Sequence, residues 1–127
     1  MEYNISANKE RAVSFLNLIV SNQVAKAFEE HAGTDFVHHN PFFQGDAVSL
    51  KKAMEENGFE NPDKVIEVKR AIQEGDTVVV HSHIKQTPED RGAAVVHIFR
   101  FQEDRIVELW DAGQAIPEDS PNENGVF

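Results

Sequence analysis

Apolar residues recur along the first quarter of the chain at helical spacing. Ala12, Phe15, Leu16, Ile19 and Val20 follow i, i+3, i+4, i+7, i+8. Such a stripe belongs to a helix with one buried face and predicts a helix from Asn8 to about Ser21, with Asn8 as its N-cap. Val24, Ala27, Phe28 and His31 repeat the pattern, and Gly33 stands where a left-handed residue closes a helix. Asp35 to Asn40 is short and runs into Pro41, which favours extended backbone before it and predicts a brief strand. A third helix is predicted from an Asp46 N-cap through Ala47, Leu50 and Met54 to Asn57-Gly58.

After Pro62 the apolar period shortens to that of strands. Lys64 to Gln73, Thr77 to Gln86, Ala93 to Gln102 and Ile106 to about Ile116 are rich in Val, Ile and Phe. Glu74-Gly75-Asp76, Thr87 to Gly92 and Glu103-Asp104 separate them as turns. Short connections predict hairpins and an antiparallel meander, and helices before sheet predict an α+β fold. Val96 and Ile98 are apolar on one parity of their strand, Val95 and Phe99 on the other. Helices cover only one face, so the second predicts a homodimer packed sheet on sheet.

The chain has 127 residues and a formal charge of 12 − 22 = −10. This length predicts one domain over 1–127, with 117–127 as an irregular tail whose apolar Val126 and Phe127 fold back. The negative charge opposes a phosphate backbone, which excludes nucleic acid as an expected partner. With no Cys there are no disulfides or thiolate sites. The longest apolar stretch, Val13 to Val20, is interrupted by Ser14 and Asn17 and is far short of the roughly 20 residues that span a bilayer. Met1-Glu2-Tyr3-Asn4 lacks a basic, apolar secretion signal, so the expected location is cytoplasmic and no membrane partner is expected.

Three sequence words, in order, resemble one family. Val37-His38-His39-Asn40-Pro41 is similar to a strand ending in His-Asn-Pro, and Glu74-Gly75-Asp76-Thr77-Val78-Val79-Val80-His81 to a Gly-Asp-x-Val hairpin. Phe99-Arg100-Phe101 followed by Ile106-Val107-Glu108-Leu109-Trp110-Asp111 is similar to its penultimate hairpin, with Asp104-Arg105 where Asp-Gly-Lys is commoner. Together they resemble the SnoaL-like (polyketide cyclase-like) branch of the nuclear transport factor-like superfamily, closest to a subgroup predicted to catalyse aldol condensation. The resemblance implies a cone-shaped barrel, with a curved antiparallel sheet wrapped around N-terminal helices and a pocket at the wide end. It also implies a homodimer and no cofactor. The implied activity is acid–base isomerisation, cyclisation or aldol-type chemistry on a small apolar carbonyl compound. The alternative is a non-catalytic ligand-binding module, since the fold hosts both.

Several polar residues interrupt these apolar runs. His39 shares strand parity with Val37, whose side chain predicts an inward face. His39 then serves either as a pocket acid–base group or as a tie to a carbonyl that holds the Asn40-Pro41 turn. His97 is in line with Phe99 and Phe101. His81 and His83 share a face, and His81 is read as a pocket hydrogen-bonder. A metal site of His81, His83 and His97 is set aside, because no Cys or closely spaced carboxylate completes it and the resemblance implies no metal. Trp110 and Gln114 share one parity of the last strand and Asp111 has the other, an assignment a bulge would change. In catalytic relatives a carboxylate stands near the position of Gln114, and Gln accepts no proton. The expected catalytic residues are therefore His39, Asp111 and His97, with Trp110, Gln114, His81 and Phe99 contacting substrate. Arg70 interrupts the Ile66, Val68, Ile72 parity and is read as snorkelling to solvent in preference to pairing with Asp111. No Gly-x-Gly-x-x-Gly or Gly-x-Ser-x-Gly occurs, so no nucleotide cofactor is expected.

Overall fold

The computed structural model describes residues 5–127; the expectation drawn from Met1 to Asn4 lies outside them. Helix α1 spans Asn8–Val20, α2 Val24–His31 and α3 Ala47–Glu60, with a short 3-10 turn at Ile5–Ala7. Strands β1 (Ala32–His38), β2 (Val65–Glu74), β3 (Thr77–Lys85), β4 (Ala93–Gln102) and β5 (Arg105–Ala115) form one open sheet in the order β1-β5-β4-β3-β2. The β2 to β5 meander is antiparallel as expected, and β1 joins β5 in parallel. Together they make the α+β cone fold. No described helix is long and apolar enough to cross a membrane.

Four local expectations change. Asn8 is the first helical residue and the N-cap is Ala7; buried Asn8 instead donates Nδ2–H to the Glu103 carbonyl at 2.9 Å and accepts from Arg11 at 2.6 Å. Gly33 does not end α2, because the chain turns straight into extended backbone at Ala32 and Gly33 lies inside β1. A Cβ there would meet Val107 Cγ1 at 3.2 Å, so the small residue serves close approach of β1 to β5. Gly58 likewise sits inside α3, where a Cβ would collide with the Asn22 side chain. Arg70 lies off the Ile66 and Val68 face because Lys69 is an extra residue in β2: Val68 pairs with Ser82 but Arg70 with His81. The Asp46 cap stands, accepting from Ser49 N–H at 2.9 Å.

Phe15 of α1 meets Phe28 edge-on at 5.4 Å and Phe99 of β4 at 5.9 Å, and Phe28 meets Phe36 of β1 at 5.3 Å. These contacts define the inner, helix-covered face of the sheet. Val78, Val80, Phe99, Phe101, Ile106 and Leu109 are buried on it. Farther along the same strands Ile84, Val95 and Asp111 are half-buried, and Gly113 and Ala115 are exposed. Burial therefore declines from a packed apex to an open mouth.

Candidate functional site

A one-residue bulge decides which side chains share the mouth. At the β4–β5 turn Gln102 pairs with Arg105 and Phe101 with Ile106, but Arg100 pairs with Glu108, so Val107 is extra. Beyond it His97 lies opposite Asp111, and Ile98 opposite Trp110. Without the bulge Trp110 would stand opposite His97, as the simple alternation predicts. The residues expected around one cavity thus divide. His97, Asp111 and Phe99 are on the inner face; Trp110, Gln114 and His81 share the outer face by register.

His39 joins the outer group. Phe36 and His38 are buried while Val37 is 43 % exposed, so the parity of Val37 and His39 points outward. His38 holds the turn: its ring nitrogens contact the Gln44 carbonyl at 2.6 Å and accept the Asn40 N–H at 3.1 Å. His39 stacks on Trp110 with ring centroids 4.9 Å apart and planes 6° from parallel. Its Nε2 lies 2.6 Å from a Glu108 carboxylate oxygen, and Arg100 Nε donates to the other at 2.9 Å. These hydrogen bonds, from His39 first and Arg100 second, hold the Glu108 carboxyl below its ordinary range.

His97 has the opposite environment. Burial pushes it down to about 4 from 6.5, against an upward pull from Asp111, so the ring is neutral at physiological pH. Its Nδ1 and the Oγ of Ser82 are buried with no partner among the described residues. Ser82 is inner-facing, paired with Val95 one inward position from His97. Asn40, at the end of β1, donates Nδ2–H to the Asp111 carboxylate at 3.2 and 3.5 Å. Asn40, Ser82, Glu108 and Arg100 were not singled out as site residues by sequence. Arg100 and Glu108 face each other only through the Val107 bulge, which the alternation of the sequence does not show.

The three histidines of the hypothetical metal cluster do not converge, for His81 and His83 are on the outer face and His97 on the inner. Among the described residues no group of three His, Cys, Asp or Glu could hold a metal. The outer pair instead receives the tail, which folds back: the Phe127 ring lies 5.4 Å from that of His81, 4.9 Å from that of His83, and 4.9 Å from Lys69 Nζ.

Solved structures share the fold. AclR, a candidate hydroxylase from Streptomyces galilaeus, superposes with a TM-score of 0.72 at 20 % identity, covering 87 % of this chain and 91 % of that one. A SnoaL-like protein of unknown function from Burkholderia thailandensis has a TM-score of 0.72 at 13 % identity over 91 % and 100 %. A candidate polyketide cyclase from Sinorhizobium meliloti has 0.65 at 17 % over 81 % and 94 %. No curated protein matches the chain. The SnoaL-like domain model matches residues 12–109, from the α1 stripe to the residue of β5 that packs beneath Phe99; the chain belongs to the SnoaL-like domain family.

Proposed function

We propose that the protein is an enzyme that moves a proton beside the carbonyl of a small, largely apolar substrate held at the cone mouth. The observation that supports it is the pair of unpartnered buried atoms, His97 Nδ1 and Ser82 Oγ, beside a carboxylate. Leaving such an atom unsatisfied costs about 1 to 3 kcal/mol, which a substrate oxygen would recover. In this reading neutral His97 donates a hydrogen bond to the carbonyl oxygen, as a low imidazole pKa suits. Asp111, held by Asn40, takes the proton from the adjacent carbon. The enolate then receives that proton on another carbon, an isomerisation, or attacks a second carbonyl, an aldol-type cyclisation. Side chains alone balance this transfer, so it calls on no cofactor. The candidate polyketide cyclase among the fold neighbours is consistent with this chemistry.

Deuterium uptake tests it without knowledge of the substrate. Cyclic ketones in D2O should exchange their α-protons faster with the protein than with buffer, and Asp111→Asn should lower that rate about 100-fold or more. Saturable ketone binding with no exchange would leave the ligand-binding module. The outer face takes a second copy in the same proposal. Val79, Val96, Ile98 and Trp110 are half-buried there and Ile72 is 58 % exposed, which leaves an apolar face for a partner to cover. Light scattering should give twice the chain mass at micromolar concentration.

A further inference from the structure

A second site is formed where α1 runs beside the edge strand β2. A groove of about 860 Å³ lies between them, lined by Val13, Leu18, Ile66 and Ala71 and by Lys64, the residue just before β2. Edge strands are normally blunted by charge or cover, and here the edge is left with an apolar trough large enough for a small ligand. It is separate from the His97 mouth, none of whose polar residues lines it.

Two lysines line the groove, and of these Lys9 is exposed while Lys64 is half-buried, so Lys64 gives the trough its chemistry. The chain carries 22 Asp and Glu residues, yet no described carboxylate pairs with this ammonium. Its Nζ donates to the Asn57 Oδ1 at 2.7 Å, a neutral acceptor on α3. Burial lowers its pKa and no nearby carboxylate offsets that pull. A half-buried cation without a counter-ion is poorly stabilised unless an anion is supplied. Glu10 also lines the groove, but it exerts no resolved effect on Lys64.

We propose that this groove binds a small aliphatic monocarboxylate, its tail along Val13, Leu18 and Ile66 and its carboxylate on Lys64 Nζ. The ammonium has donors beyond the one used on Asn57, since it carries three. A carboxylate matches the charge, and the trough matches the tail. An alcohol of equal length satisfies only the second requirement.

Titration with octanoate, octanol and octylamine, followed by the backbone amide resonances of Val13, Leu18 and Ile66, tests it. Octanoate is expected to saturate these shifts, with octanol weaker by about tenfold and octylamine weaker still. Lys64→Gln should abolish the preference for octanoate over octanol, and Lys64→Arg should retain it. A readout on the unaltered protein guards against a misfolded variant: the Lys64 Nζ resonance should move with octanoate and stay still with octanol. Equal binding of octanol and octanoate, an unchanged preference in Lys64→Gln, or no groove shift with millimolar octanoate would each overturn the proposal. Asp111→Asn should leave octanoate binding as it is, which separates failure here from failure at the cone mouth.

Discussion

On the inner face of β4 and β5 a histidine stands opposite an aspartate, and on the outer face another histidine stands against a glutamate. His97 is buried, neutral, and keeps an unpartnered ring nitrogen; His39 is half-exposed, stacked on Trp110 and hydrogen-bonded to Glu108. Both are imidazole and carboxylate on neighbouring strands. What separates them is access to water and whether the carboxylate is already satisfied. Glu108 is engaged by two donors from its own chain, His39 and Arg100, so it has little left to offer a ligand. Asp111 is held by a single amide from Asn40 and can accept more. The pair that looks more like a catalytic dyad by distance is thus the better structural tie.

The difference is most directly broken by inserting one alanine between Glu108 and Leu109 of β5. The insertion turns Leu109 and Asp111 outward and brings Trp110 opposite His97. Loss of buried Leu109 alone is of the order of 2 to 5 kcal/mol, and the melting transition by circular dichroism should fall accordingly. Deleting Val107 should instead keep the fold, because Ile106 then runs straight into Glu108 and every later pairing is preserved.

Acid titration of stability comes next. His97 binds its proton less readily in the folded state, so the unfolded chain takes up more protons between pH 6.5 and about 4. Stability should therefore fall as pH falls through that window, by about 3 kcal/mol when complete. Denaturant melts across the window should be flatter for His97→Leu. Desolvation of His31 acts in the same direction.

Glu108→Gln should have a smaller effect with a different pH signature. A carboxyl with a lowered folded-state pKa stabilises above its unfolded value and loses that contribution only as pH falls through the folded one. The variant should be slightly less stable than wild type at pH 7 in low salt, should converge with it in high salt, and should leave any ketone exchange within twofold of wild type. Smallest of all is Phe127→Ala: thermal stability should stay within about 0.5 kcal/mol, while the imidazole resonances of His81 and His83 move.

Much of the architecture was legible because one-sided burial imposes a period. The α1 stripe, the Asp46 cap and all four hairpin strands follow from it within a residue or two. The brief strand was placed too late, since the glycine that seemed to end α2 is required by the β1–β5 approach. The site was legible in composition but not in sorting. Phe36-Val37-His38-His39 offers one apolar residue and one histidine on either parity, so alternation cannot say which histidine is buried; only the parallel pairing with β5 does. Asp111 was named, yet its partnership with His97 depends on a bulge at Val107, and Val is as apt for a regular strand as for a bulge. The unpartnered Ser82 hydroxyl had no sequence signal at all, being one small polar residue in a buried strand.

The parallel joint between β1 and β5 also sets an order of events. Val37 meets Glu108 across 108 − 37 = 71 positions, whereas every other strand pair closes through a local turn. Closing a loop of that length costs about 4 kcal/mol of chain entropy beyond a constant, so the hairpins assemble first and β1 docks late. Asn40 reaches Asp111 only through that docking. The Asp111 carboxylate is thus oriented in the final step of folding, and a partially assembled chain, however complete its meander, leaves it without its Asn40 donor.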